Sequence, residues 1–347
     1  MNDLRALRQL MGTLAGHVPR RPDWDAMLSL ANRTLTTGTL AQALWAHGTD
    51  MPDEVRGFLG EVLERVEKRN ARLRLQLEEA VGWLDRSGIR PILLKGAASL
   101  AGQPAPHGRI LSDIDLMVPE SQMPAAIRCL ERAGYAVIPP FAEPPNPIVL
   151  ARDSDVGSID LHARLKSPWP ACDYRQLRKI CVPHRVQENM AWLPTPAAQA
   201  FVLIMHDQLQ DRDYWRGLID LRHLLDLAAL AQGPGGIDWQ RLATLFPEGH
   251  PARALRTQLR TLTRLTNTAV PHELTRGVWP ALQYRRRLAQ LRLPFAARAM
   301  TWFSLVADPP SHPERTPHLS DAAQPKRPRW DTSRLRRFHR QKAAGKV

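Results

Sequence analysis

At 347 residues and 44% apolar content, the chain can bury a substantial core, so wholly disordered and fibrous classes are excluded and two domains are expected rather than one. Its three cysteines, Cys129, Cys172 and Cys181, form no CxxC pair, which removes a disulfide framework and a zinc knuckle and fits a reducing cytoplasm. The net charge of +14 is concentrated: residues 313–347 hold ten Lys or Arg against three acids, half of the whole excess.

Residues 1–86 read as helical. Leu4, Leu7, Leu10, Met11 and Leu14 keep helical spacing, and so do Leu59, Leu63, Val66, Leu73, Leu77, Ala80, Val81 and Leu84, with one slip near Asn70. Pro52-Asp53 starts the long helix and Ser87-Gly88 stops it. Trp24, Trp45 and Trp83 are expected to fill the core or contacts between layers. The first residues lack the apolar centre of a signal peptide, and no later apolar run approaches about 20 residues, so a soluble, unexported, cytoplasmic protein with no membrane partner is expected.

A second region, 87–194, alternates short strands and turns. Ile92-Leu93-Leu94 reads as a buried strand ending at Lys95-Gly96, with a helix from Ala97 to Ala101. Gly102 to Gly108 is too rich in Gly and Pro for regular structure and is a candidate lid. In the next strand, Leu111, Asp113, Asp115 and Met117 share one face, and Ser112, Ile114, Leu116 and Val118 the other. A helix from Ser121 ends at Gly134, and Tyr135–Ile138 is a strand. Pro139 to Pro147 is an exposed excursion, after which Ile148–Ala151 pairs with Gly157–His162 across a turn whose acids, Asp153 and Asp155, are ordinary loop residues. Parity then puts Ser158, Asp160 and His162 on one face, where His162 could orient Asp160 or approach an acceptor. His184 falls in a Pro-rich connection without a role. The histidines show no ligand spacing, so no transition-metal site is expected.

Residues 195–305 return to helices. Ala197–Leu209 and Trp215–Leu230 form a hairpin, with Asp211-Arg212-Asp213 as connection and cap. Gly233-Pro234-Gly235-Gly236 breaks the chain before further helices at Asp238–Phe246 and Ala252–Leu265 and a Trp- and Arg-rich segment through Trp302. Residues 306–347 form a basic tail that reads as a solvated, flexible end or as an electrostatic guide for nucleic acid.

Three aspartates on adjoining strands repel one another, and removing each from water costs several kcal/mol, so a positive partner must stand among them. An all-oxygen set suits Mg²⁺ or Mn²⁺, and two such ions about 3.5–4 Å apart can hold both oxygens of an in-line phosphoryl displacement.

This order of parts resembles the DNA polymerase β-like nucleotidyltransferase superfamily, and within it a little-characterised bacterial family. The likeness rests on Leu94-Lys95-Gly96, Arg109, Ser112-Asp113-Ile114-Asp115-Leu116 and Asp160-Leu161-His162, and spans roughly Ile89 to Leu230. It implies an α+β fold: a small mixed β-sheet catalytic core over 87–194, flanked by helical regions. It also implies transfer of an NMP from an NTP, ATP being the expected one, to an acceptor hydroxyl on a small molecule, peptide or protein. Asp113, Asp115 and Asp160 would hold metal, Asp160 also serving as base. Lys95, Gly96, Ala97, Ser99, Arg109 and Ser112 would attend the nucleotide, Arg109 otherwise bridging to one of the aspartates. Ala97 stands where many members have Ser. His206, Asp207 and Asp220 would lie beside nucleotide or acceptor. The alternatives are an RNA 3′ end as acceptor, guided by the tail, and a silent binding module on the same scaffold.

Overall fold

A computed structural model of the chain describes residues 3–102, 108–139, 146–167 and 169–309. Residues 310–347 of the basic tail, the centre of the candidate lid and most of the Pro139–Pro147 excursion lie outside the described residues, whereas residues 306–309, expected to begin the tail, complete the last helix and bury Asp308 against Tyr214 and Arg253.

Four helices come first: α1 (Asp3–Leu14), α2 (Trp24–Arg33), α3 (Thr37–Ala46) and α4 (Asp53–Arg86). Then follow β1 (Ile92–Leu94), α5 (Lys95–Ala101), β2 (Asp113–Met117), α6 (Met123–Arg132), β3 (Ala136–Val137), β4 (Ile148–Ala151), β5 (Ser158–His162), α7 (Tyr174–Arg178), β6 (Cys181–Val186) and β7 (Asn189–Pro194). Helix α8 (Pro196–Ile204) widens into a π-helical turn, Met205–Gln210, before α9 (Asp213–Arg216), α10 (Leu221–Gln232), α11 (Trp239–Thr244) and α12 (His250–Thr266). The described chain closes with α13 (His272–Thr275), α14 (Val278–Arg292) and α15 (Ala297–Ala307). The fold is α+β, with a seven-stranded mixed sheet in the order β3-β4-β5-β2-β1-β7-β6, parallel at β2/β5 and β1/β7.

Alternation along the central strands sorts the sheet into two faces. Leu93, Ile114, Leu116, Ile159 and Leu161 join one apolar cluster with Leu73, Leu77 and Ala80 of α4. Ile92, Leu94 and Met117 join the other, with Leu10 of α1 and with Phe201, Leu224 and Leu259 of the later helices. Asp113, Asp115 and Asp160 have the parity of this second face. The periodicity slip at Asn70 marks where α4 changes neighbours: Leu59 packs into the second cluster and Leu73 into the first. At the slip, polar side chains hold backbone instead: Asn70 Nδ2 donates to Arg109 O at 2.7 Å, and Arg69 donates to the carbonyls of Leu111 and Ser112 at 2.9 and 3.1 Å.

Three expectations change. The Pro-rich segment around His184 is the β6–β7 hairpin, because β6 is an edge strand and Pro183 costs it no internal ladder bond; His184 Nε2 donates to Ala101 O at 3.0 Å. The helix expected over Trp215–Leu230 is broken at Gly217 (φ +69°), and α10 begins anew with Asp220 as its cap, accepting from His223 N at 3.2 Å, so the cap is not Asp211 or Asp213. Trp24 and Trp83 pack against apolar clusters, whereas Trp45 is 40% exposed.

Gly157, at the entry to β5, leaves no room for a methyl group: a Cβ there would meet Leu73 Cδ2 at 2.6 Å and Ser112 O at 2.9 Å. Gly157→Ala is expected to cost about 1–3 kcal/mol through overpacking, seen as a lower urea midpoint at unchanged m.

Candidate functional site

The strand β1 ends in a sharp turn. Lys95 takes φ +46°, a left-handed conformation that costs a side chain of this kind on the order of 1 kcal/mol or more. Its ammonium lies 2.9 Å from Asp115 Oδ1 on the neighbouring strand, and His162 Nε2 donates to the same oxygen at 3.1 Å. All three side chains are withdrawn from water, Asp115 to 3% exposure. Burial by itself would raise the Asp115 carboxyl, but the Lys95 charge and the His162 hydrogen bond hold it well below the usual carboxylate range. Burial likewise pushes His162 below an ordinary imidazole, despite the pull of Asp115.

The β2/β5 pairing is parallel and in register, with Asp113 opposite Ser158 and Asp115 opposite Asp160. Two carboxylates therefore stand side by side on adjacent strands with a third two residues away on the same face. Asp113 and Asp160 are half-buried, and Ser112 Oγ donates to Asp113 Oδ1 at 2.9 Å. His162, expected beside Asp160, serves Asp115 instead, because its ring reaches back across the strand pair.

The helical region beyond the sheet enters the same site. Arg109 makes a two-pronged ion pair with Asp226 of α10, Nε to Oδ1 at 2.7 Å and Nη2 to Oδ2 at 2.6 Å, so its carboxylate partner is none of the three strand aspartates. Burial opposes the charge on Arg222, but the carboxylates of Asp220, Asp226, Asp207 and Asp113 raise its pKa above the ordinary value. Arg222, His223 and Asp226 were invisible as site residues. Their signal is a polar stripe on an otherwise apolar helix, His223 and Asp226 falling on the face that Asp220 opens.

The remaining candidates divide. Ala97 is fully buried in the apolar cluster with Leu93 and Leu111, so its methyl faces the core, and a Cβ on Gly96 would press on Leu111 Cδ2 at 3.1 Å. Ser99 Oγ donates to Lys95 O at 3.3 Å. His206 and Asp207 lie in the π-helical turn, where Asp207 accepts a short hydrogen bond from His223 Nδ1. Among the described residues, the group of possible ligands whose atoms all lie within 4.8 Å of one another is His206, Asp207 and His223, rather than the three aspartates.

Residues 20–267 match the family of uncharacterised nucleotidyltransferases, and the chain belongs to it. No curated protein and no solved structure matches the chain. Among the described residues no helix is long and apolar enough to cross a membrane.

Breaking the Arg109–Asp226 pair leaves a largely buried guanidinium uncompensated. Asp226→Asn is expected to lower stability by about 2–4 kcal/mol, and Arg109→Lys to cost nearly as much because an ammonium cannot form the fork. Urea unfolding of the two variants beside Asp155→Asn, a loop acid paired with Arg152, checks that the loss belongs to this pair.

Proposed function

We propose that the protein is a nucleotidyltransferase that moves an NMP from an NTP to an acceptor hydroxyl, with release of pyrophosphate. The observation that carries this reading is the in-register pairing of Asp115 with Asp160, with Asp113 on the same face of β2. The donor set is three carboxylates, hard oxygen ligands suited to Mg²⁺ or Mn²⁺, and Asp115 already lies against a cation, the Lys95 ammonium. Asp113, Asp115 and Asp160 would hold the metal, and Asp115 would then share its charge between it and Lys95. When bound, it would supply charge neutralisation for the triphosphate and a lowered pKa for the acceptor hydroxyl.

The chain's own groups account for the rest. Asp160, half-buried where Asp115 is buried, accepts the acceptor's proton. The acceptor oxygen then bonds to the α-phosphorus while the bond to the β-phosphate oxygen breaks, and pyrophosphate leaves with that electron pair. Lys95, released toward the triphosphate, and the backbone N–H groups at Gly96 and Ala97 attend the β- and γ-phosphates, with Ser99 and Ser112 at the edges of this cradle. Arg109, bound to Asp226, acts by fixing the entry to β2. Catalysis rests on positioning and charge, as phosphoryl transfer does generally.

Full-length protein incubated with each labelled NTP, ATP first, with Mg²⁺ and a host lysate, is expected to label one fraction. Asp113→Asn and Asp160→Asn should each reduce the label by about 10²-fold or more with an unchanged circular dichroism spectrum. Wild-type rates in both variants, or no label from any NTP, would overturn the proposal. Label in RNA would make a 3′ end the acceptor. Removal of residues 313–347, with their ten Lys or Arg, should then raise KM for RNA and flatten its salt dependence.

A further inference from the structure

Spacing along the chain offers no pair of histidines for a transition metal; folding brings one together. His206 and Asp207 lie in the π-helical turn and His223 in the first turn of α10, with one ligand atom from each inside a common 4.8 Å. A four-coordinate ion with bonds of about 2.0–2.2 Å to nitrogen and oxygen spaces its ligand atoms roughly 3.3–3.6 Å apart. The present contacts bracket that range: His206 Nδ1 is 3.7 Å from Asp207 Oδ1, and His223 Nδ1 hydrogen-bonds the same oxygen at 2.5 Å.

Two further features point to a ligand. His206 Nδ1 is buried and makes no hydrogen bond, although such buried polar atoms are nearly always satisfied. Asp207 Oδ1 at 3.7 Å and Asp211 Oδ2 at 3.5 Å stand within ion-pair reach of it without making that bond. Carboxylates also surround the imidazoles, since Asp220 Oδ2 stands 3.9 Å from His223 Nδ1, while Arg222 shares Asp220 at 4.0 Å.

We propose that His206, Asp207 and His223 form a three-ligand site for a divalent ion of the Zn²⁺ class, separate from the aspartates of the sheet. Two imidazoles select such an ion over Mg²⁺, which prefers an all-oxygen shell. The ion replaces the His223–Asp207 hydrogen bond, the imidazole taking the tautomer with its proton on Nε2. Side-chain exposure is 13% at His206 against 1% at Asp207 and 3% at His223, so the ion enters, and keeps its open position, on the His206 side. There it pins the π-helical turn to α10, the helix that carries Asp226 and Arg222 to the aspartates. The site stands or falls independently of nucleotidyl transfer.

The test uses full-length protein stripped with a chelator and titrated with Zn²⁺ in excess Mg²⁺ by calorimetry, and in parallel with Co²⁺ by visible absorption. One equivalent per chain is expected, with nitrogen-ligated four- or five-coordinate Co²⁺ bands. Asp113→Asn and Asp160→Asn should leave the affinity unchanged, and His206→Gln should weaken it at least about tenfold. No bound equivalent, affinity indifferent to His206→Gln, or affinity lost with Asp113→Asn would overturn the site. If His206→Gln fails to fold, the wild-type Co²⁺ spectrum decides: bands of an all-oxygen six-coordinate ion refute the proposal.

Discussion

The Asp115 carboxylate is almost wholly removed from water, and its charge is sustained by two donors on one oxygen, the Lys95 ammonium and His162. A buried carboxylate without such partners would be protonated or would cost several kcal/mol. The local backbone is shaped to that need. Lys95 accepts a left-handed conformation at the end of β1 so that its side chain turns back over the adjacent strand, and Gly96 follows because Leu111 leaves little space for a side chain. β2, the central strand of the seven, is hydrogen-bonded on both sides and gives the carboxylate a firm support.

The two faces of the sheet divide the labour. Behind it, α4 supplies apolar packing and, at Arg69, Asn70 and Gln76, side-chain donors for the carbonyls of Arg109, Leu111, Ser112 and Gly157, the segments that lead into the aspartate strands. In front, α10 brings Asp226 to Arg109 and Arg222 into the field of Asp113. The front layer is itself braced by polar contacts: Arg287 of α14, fully buried, donates to Gln258 and Thr261 of α12 and to Gln208 of the π-helical turn. Burial lowers the pKa of that guanidinium to about 10. The helices after β7 thus belong to the site and are not an appendage to it.

Membership of a nucleotidyltransferase family identifies the kind of chemistry without its acceptor, since one fold serves many substrates. Charge is concentrated on the front of the sheet. Lys95 meets Asp115 of β2, Arg109 meets Asp226 of α10, and Arg222 lies in the field of Asp113, so these charges are balanced across elements.

Local chemistry determined a good deal by itself. The parity of Asp113, Asp115 and Asp160, the strand that ends at Lys95, the start of α4 after Pro52 and its stop at Ser87-Gly88 are set by alternation, capping and turn preference over a few residues, and all were readable in order along the chain. The choice of partners was not. Arg109 could have met a phosphate or any of three aspartates; it meets Asp226, 117 residues on, because α10, packed against α8 and α12, presents that carboxylate to it. His162 turns to Asp115 rather than Asp160, and His206 finds His223 only because a π-helical turn and a helix break at Gly217 swing two short segments together. Periodicity says which face a side chain takes; only the packing of distant layers decides what stands opposite it.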